Sequence, residues 1–179
     1  MKKHGIIASF IGFLVGCGPA ADQPTQTSDE ETPAAVEVLV DTTPRVTGIG
    51  GIFFFSDDPS KTKAWYAQHL GLQTNEWGSS FEFRNANRPD EINYLQWSPF
   101  KQGSQYFAPS EKDFMINYRV QNIDGLVRNL RNSGVTIVDS IETYDYGKFV
   151  HIMDAEGNKI ELWEPVDEVF TAMGGATTK

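Results

Sequence analysis

The most constraining feature of the sequence is a repeat, because one order of β-rich and helical patterns occurs twice. The first copy begins with the β-rich run VTGIGGIFFFS at 46–56. Asp58 and Pro59 then predict the first residues of a helix over 59–70, with Asp58 as the N-cap. Gly71 is a typical residue for the end of that helix. Three short strands are predicted after it, near 72–77, 80–85 and 92–98.

The second copy follows the same order about 63 residues later, measured from Gly71 to Gly134. Apolar and polar residues alternate over 113–121, which predicts a strand. A helix is predicted from about Asp124, its expected N-cap, to Gly134. The predicted strands are 135–142, 147–153 and 159–164, and the turn DAEGN at 154–158 joins the last two. A β-α-β-β-β unit used twice predicts an α+β domain.

Three segments also resemble a known family. They are GIGGIFFFSDDPSKTKAWYAQHLGL at 48–72, FMINYRVQNIDGLVRNLRNSGV at 114–135 and YGKFVHIMDAEGNKIELWEP at 146–165. They resemble the vicinal oxygen chelate superfamily, also called the glyoxalase/bleomycin resistance/dioxygenase superfamily. The resemblance implies two βαβββ modules curled around a central cavity. It also implies a domain that can form a homodimer.

The N-terminal segment is typical of an exported lipoprotein. Lys2 and Lys3 precede an apolar core at 6–15, which is too short for a membrane-spanning helix but suits a signal peptide. The residues LVGC at 14–17 resemble a bacterial lipobox, in which the cysteine carries the lipid. Cys17 is therefore the predicted lipidation site, and a chance cysteine after an ordinary signal is the alternative.

These patterns divide the chain into four parts. A signal peptide at 1–16 is followed by a lipid-anchored flexible tether at 17–44, which is rich in Pro, Thr, Ala and acidic residues. The folded domain is predicted at 45–165 and a C-terminal tail at 166–179. The predicted location is the cell envelope, at the outer membrane or the periplasmic face. A net charge of −9 without a basic run excludes a typical nucleic-acid-binding protein.

The resemblance implies where a divalent metal would be held. In the metal enzymes of the superfamily, His, Gln or Glu side chains on the first and last strand of each module are the ligands. Those positions fall on Gly50, Met115, Glu161 and either Leu95 or Gln96. Glycine has no donor, and a thioether is a poor ligand for a hard cation. We therefore expect no metal and no other cofactor, with Glu161 as the retained ligand-type residue.

Strand alternation predicts which side chains face the cavity. If Met115 points inward, so do Asn117 and Arg119, while Ile52 and Phe54 accompany Gly50. A short hairpin loop around Gly157 pairs His151 with Glu161. The predicted catalytic pair is Glu161 and His151. The predicted ligand-binding residues are Phe54, Asn117, Arg119, Phe149 and Trp163.

Two functions remain open at this point. One is a metal-free lipoprotein that binds a small organic molecule, with an anionic or carbonyl group, in an aromatic pocket. The other is a lyase, isomerase or epimerase of the same superfamily, in which Glu161 is a general base or metal ligand. An inert structural protein of the envelope is a third alternative.

Overall fold

The computed structural model describes residues 41–179, and these residues form a mixed sheet flanked by helices. The predicted signal peptide, the lipidation site Cys17 and tether residues 17–40 lie outside the described residues. The first module contains β1 (Arg45–Ser56), α1 (Pro59–Leu70), β2 (Ser79–Asn85) and β3 (Arg88–Lys101). A 3₁₀ helix, Gln105–Phe107, leads to the second module. That module contains β4 (Phe114–Gln121), α2 (Ile123–Asn132), β5 (Glu142–Tyr144), β6 (Gly147–Met153) and β7 (Lys159–Pro165), and α3 (Asp167–Met173) follows.

The sheet topology confirms the repeat. The seven strands lie in the order β2-β3-β1-β4-β7-β6-β5, with β1 and β4 side by side and antiparallel. The last strand of each module is parallel to its first strand, β3 to β1 and β7 to β4. Each half therefore repeats the same connection, and the two halves meet through their first strands.

The helix ends follow from local side-chain chemistry. Asp58 Oδ1 accepts the backbone N–H groups of Ser60 and Lys61, at 3.1 Å each, and Gly71 ends α1 with φ at +74°. These observations confirm the predicted bounds of α1. The predicted N-cap of α2 is wrong by two residues. Asn122, rather than Asp124, is the N-cap, because its Oδ1 accepts the N–H of Gly125 at 3.0 Å.

Two predicted strands are wrong in position. No strand forms over 72–77, where a single β-bridge joins Thr74 to Ser79. The reason is that Asn75 Oδ1 accepts hydrogen bonds from two backbone N–H groups and so stabilises a turn at this point. In the second module the strand begins at Glu142 instead of 135. Asp139 Oδ1 accepts a hydrogen bond from the backbone N–H of His151 at 2.8 Å, so a side chain replaces a backbone partner between the strands at that point.

An irregular register in β1 decides which of its side chains face each side. The pairing of β1 with β4 shifts between Ile49 and Gly51, as at a β-bulge. After the shift, Phe53 lies opposite Met115, and Phe54 lies opposite Phe114. Directly opposed residues share a face of the sheet, so Phe53 is on the side of Met115, and Phe54 is on the other side.

The buried core is concentrated in the second module. One cluster lies between α2 and the sheet and consists of Val120, Ile123, Val127, Val150, Ile152 and Leu162. By contrast α1 has no buried residue, and it rests on β3 mainly through Tyr66 against Trp97, with ring centroids 4.6 Å apart. No helix among residues 41–179 is long and apolar enough to cross a membrane.

Gly50 offers a test of this packing, because a Cβ at that position would lie 2.2 Å from Asn117 Oδ1 and 2.8 Å from Trp163 Cε3. We predict that Gly50→Ala lowers the free energy of unfolding by about 1–3 kcal/mol through overpacking. Gly48→Ala in the same strand is the matched control, because its Cβ would meet only Arg119 Cδ, at 3.8 Å. Urea unfolding of both variants is the measurement, and equal stability would contradict the packing described here.

Candidate functional site

A pocket of about 780 Å³ opens on the side of the sheet that Phe53 faces. Strands β1, β3, β4 and β7 contribute its floor, and the segment from Phe170 to Thr177 contributes a wall. Aromatic rings dominate the lining, among them Tyr94, Phe100, Tyr106, Phe149, Trp163 and Phe170. Such a surface can bury the apolar part of a small organic molecule.

Glu161 is the central polar residue of this pocket. It lies on β7 and is only 3% exposed. Asn117 Nδ2 donates to its Oε1 at 2.6 Å, and the Tyr106 hydroxyl donates to its Oε2. His151 Nε2 lies 3.0 Å from the same Oε2. A buried carboxylate needs such partners, because an unpaired buried charge is strongly unfavourable.

The hairpin between β6 and β7 places His151 beside Glu161. Its turn has Gly157 at φ +77°, and the two residues are directly opposed in the ladder. This geometry confirms the predicted pairing. The other ring nitrogen, Nδ1, lies 2.6 Å from Asp139 Oδ2, so the imidazole bridges two carboxylates. Burial alone would lower the pKa of His151, but the hydrogen bonds and charge of Glu161, together with Asp139, outweigh burial and raise it.

Tyr106 is a site residue that the sequence analysis missed. It lies in the 3₁₀ helix between the modules, and its ring is stacked on Phe100 with centroids 5.2 Å apart. Burial, and then the neighbouring charge of Glu161, raise the pKa of its hydroxyl. The phenol therefore remains a proton donor to the carboxylate at neutral pH. The intermodule segment has no periodicity or motif that could have indicated this role.

Arg119 has a different position from the one predicted. It faces the same side as Asn117 and is 2% exposed, but it does not line the pocket. Its guanidinium forms a buried ion pair with Asp167 of α3 and donates to the carbonyl of Tyr94 at 2.9 Å. The structure therefore does not bring Arg119 into the pocket lining, and its role in ligand binding stays a prediction. Its charge is already balanced by Asp167, which the sequence analysis had assigned to a tail.

The bulge in β1 overturns the predicted orientation of Phe54 toward the cavity. Its ring packs against Trp97, with centroids 5.2 Å apart, on the side of the sheet that faces away from the pocket. Phe53 lines the pocket in its place. The predicted pocket residues Asn117, Phe149 and Trp163 do line it. Their roles in binding, and those of Glu161 and His151 in catalysis, stay predictions.

The structure also distinguishes Leu95 from Gln96. Gln96 Nε2 donates to Ser98 Oγ at 3.0 Å, and Gln96 Oε1 accepts from Ser80 Oγ at 2.8 Å, so these polar groups share the pocket side of β2 and β3. Trp97 points to α1, whereas Trp163 points into the pocket. The two tryptophans are therefore not equivalent, which favours Gln96 as the counterpart of Glu161, although Leu95 also lines the pocket.

The segment predicted as a tail belongs to the pocket. Phe170 packs edge-on against Trp163, with ring centroids 5.6 Å apart. Beyond α3 the chain crosses to β2, where the N–H of Thr178 donates to the carbonyl of Ser80 at 2.9 Å. Likewise, residues 41–44 of the predicted tether contact the domain, since Gln121 Nε2 donates to the carbonyls of Asp41 and Thr43.

The donor set does not fit a divalent metal. Gly50 has no donor, and Met115 is fully buried beside Phe53 and Phe107. The oxygen atoms of Glu161 and Gln96 are already bonded to protein donors. Within residues 41–179, no group of three or more His, Cys, Asp or Glu side chains is placed to hold a metal ion.

Comparisons with known proteins agree with this fold. The family model of the Glyoxalase/Bleomycin resistance protein/Dioxygenase superfamily matches residues 48–162. A Streptomyces coelicolor methylmalonyl-CoA epimerase, solved in complex with 2-nitronate-propionyl-CoA, is 16% identical, with a TM-score of 0.51; the match covers 68% of this chain and 99% of that chain.

Two further solved structures are less similar in shape. The methylmalonyl-CoA epimerase from Mycobacterium tuberculosis is 21% identical, with a TM-score of 0.46, and the match covers 74% of this chain and 97% of that one. A superfamily member from Vibrio splendidus 12B01 is 14% identical, with a TM-score of 0.42, and the match covers 68% and 99% of the two chains. No curated protein matches the chain. At 16% identity and a TM-score of 0.51, the Streptomyces coelicolor structure shows a shared fold.

The ion pair between Arg119 and Asp167 should stabilise the domain and hold α3 against the pocket. We predict that Asp167→Asn lowers the free energy of unfolding by about 3–5 kcal/mol, because it leaves a buried guanidinium without its counter-charge. Glu91→Gln is the control, since its pair with Arg88 is 44–52% exposed and should contribute less than about 1 kcal/mol. Chemical denaturation of both variants measures the difference, and similar losses would contradict a structural role for the buried pair.

Proposed function

The chain belongs to the Glyoxalase/Bleomycin resistance protein/Dioxygenase superfamily, and we propose that it binds a small organic molecule in the aromatic pocket without a divalent metal. The observation that carries this proposal is the state of Glu161. Both of its oxygen atoms accept hydrogen bonds from protein side chains, namely Asn117, Tyr106 and His151. A metal ion would have to displace one of these donors or use the single acceptor position that they leave.

The pocket has the features of a site for an organic ligand. Its aromatic walls supply apolar area, and burial of such area contributes roughly 25 cal/mol per Å². Phe149 and Trp163 are stacked with 5.8 Å between ring centroids, so these two lining rings already support each other in the absence of a ligand. Glu161 and Asn117 add a small polar region in the floor that can orient one functional group.

A lyase, isomerase or epimerase with Glu161 as general base is the second candidate. One observation favours it: Glu161 lines the pocket and is connected through His151 to Asp139, which is 42% exposed. This series of hydrogen bonds could pass a proton between a bound molecule and solvent. A carboxylate offers about four acceptor positions, and three are occupied here. To accept a proton from a substrate, the Glu161 carboxylate would therefore have to lose one of its three hydrogen-bond donors or use its fourth acceptor position.

The test combines metal content with binding. We predict that the full chain, purified after growth with Zn, Mn, Fe, Ni and Co, holds no stoichiometric metal. Small molecules that quench its tryptophan fluorescence should bind about tenfold more weakly to Glu161→Gln, through loss of a charge-assisted contact. Glu91→Gln, an exposed carboxylate outside the pocket, should leave binding unchanged.

Two outcomes would contradict this proposal in different ways. About one metal ion per chain, lost in Glu161→Ala, would show that Glu161 is a metal ligand. Turnover of a bound molecule that Glu161→Gln abolishes while binding persists would establish the enzyme, because glutamine keeps the shape and loses the proton acceptor.

We also propose that the domain is attached to the cell envelope through lipid on Cys17. The support is the sequence alone: a short apolar core, the residues LVGC and an acidic, Pro-rich tether. We predict that Cys17→Ala moves the protein out of the membrane fraction and leaves its precursor unprocessed. Fractionation of cells that express each form is the measurement, with Gly18→Ala as the control that keeps the cysteine. Unchanged partition of Cys17→Ala would contradict the anchor.

A further inference from the structure

The charge of the pocket indicates what kind of molecule it accepts. Glu161 is the one charged residue among the described residues that line it. Arg119 is paired with Asp167, and Lys159 Nζ donates to the carbonyl of Tyr106 at 2.6 Å. Neither cation is therefore directed at the interior of the pocket, and His151, whose raised pKa favours its charged form, lies between Glu161 and Asp139. An anionic group placed there would meet a carboxylate and no free positive charge.

The polar floor has one unpartnered buried atom, and it is an acceptor. Asn117 is 2% exposed, and its Oδ1 has no hydrogen-bond partner. Its orientation is fixed by Glu161, because the opposite amide orientation would set Oδ1 against the carboxylate. Oδ1 lies beside Gly50 and is itself buried, so a ligand donor reaches it only if Asn117 or Gly50 shifts. A buried acceptor without a donor is unfavourable, so a ligand that donates a hydrogen bond would relieve it.

The neighbouring donors in the floor are already used within the protein. Gln96 Nε2 donates to Ser98 Oγ, and Ser98 Oγ donates to the carbonyl of Trp77 at 2.7 Å. Ser80 Oγ donates to Gln96 Oε1. The side-chain donors of Gln96, Ser98 and Ser80 are therefore occupied within the protein, so the part of the floor around Glu161 offers a ligand mainly acceptors.

The walls have the same preference. Aromatic faces attract cations through the negative potential of the ring. Trp163 already shows this, because the guanidinium carbon of Arg119 lies 5.1 Å from its ring centroid. Phe149 and Phe170 flank the same indole, at 5.8 and 5.6 Å between ring centroids.

We propose that the ligand is an organic amine bound in its protonated form. Its N–H groups donate to Asn117 Oδ1 and to the remaining acceptor position of Glu161, and its apolar body lies against Phe149, Trp163 and Phe170. This inference rests on the proposed function, since it assumes that the pocket is a binding site. It adds the chemical class: a cation that is also a hydrogen-bond donor.

Four probes of similar shape test the proposal by calorimetry on the full chain. They are 2-(1-naphthyl)ethylamine, its N,N,N-trimethylammonium derivative, 2-(1-naphthyl)ethanol and the carboxylate 1-naphthaleneacetate. We expect the amine to bind about tenfold more tightly than the alcohol and more tightly still than the acetate. The trimethyl derivative should fall between amine and alcohol, because it keeps the charge and lacks an N–H donor. In Glu161→Gln, the preference for amine over alcohol should shrink while binding of the alcohol persists.

The outcomes separate this inference from the proposed function. If the alcohol or the acetate binds as tightly as the amine, the amine proposal is wrong and the binding function stands. If none of the four probes binds, both are wrong. The ranking of the probes on the unaltered protein decides the question even if Glu161→Gln fails to fold.

Discussion

The arrangement of this domain depends on how it accommodates one buried carboxylate. Glu161 lies in the floor of an aromatic pocket, where an isolated charge would be strongly unfavourable. The protein supplies three donors from three separate elements: Asn117 from β4, Tyr106 from the intermodule 3₁₀ helix and His151 from β6. A residue at a metal-ligand position of the superfamily is therefore stabilised by hydrogen bonds. Glu161 thereby ties the second module to the intermodule segment and gives the pocket its one charged lining group among the described residues.

The same side of the sheet is shaped by two further features. The irregular register in β1 places Gly50 against Asn117 and turns Phe53, instead of Phe54, toward the pocket. The buried pair between Arg119 and Asp167 holds α3 in place, and α3 carries Phe170 to the indole of Trp163. The register shift in β1 thus leaves space beside Asn117, and the ion pair between Arg119 and Asp167 positions Phe170 in the pocket wall. Gly50, Phe53 and Phe170 all line the pocket that contains Glu161, so both features shape its surroundings.

The sequence predicted what depends on local chemistry. The bounds of α1 follow from Asp58, Pro59 and Gly71, and the pairing of His151 with Glu161 follows from the turn at Gly157. The repeat and three family-like segments indicated the fold. Alternation along β4 also correctly placed Asn117 on the pocket side.

The errors came from interactions between residues distant in sequence. A glycine-rich strand does not reveal where its register shifts, so Phe54 was assigned to the wrong side. Matching Trp97 with Trp163 assumed equal registers in two strands that differ by one residue. Tyr106, Asp139 and Asp167 come from segments without periodicity, and their partners lie 55, 12 and 48 residues away. Only the folded chain brings them together.

The central claim is that protein donors, rather than a metal ion, hold Glu161. Anomalous diffraction from crystals grown with excess Mn²⁺ tests it most directly, because it locates any bound metal and shows the carboxylate contacts in the same experiment. We predict no anomalous peak within bonding distance of Glu161, with Asn117, Tyr106 and His151 still at its oxygens. A peak bonded to Glu161 and Gln96, with the Tyr106 hydroxyl displaced, would contradict it.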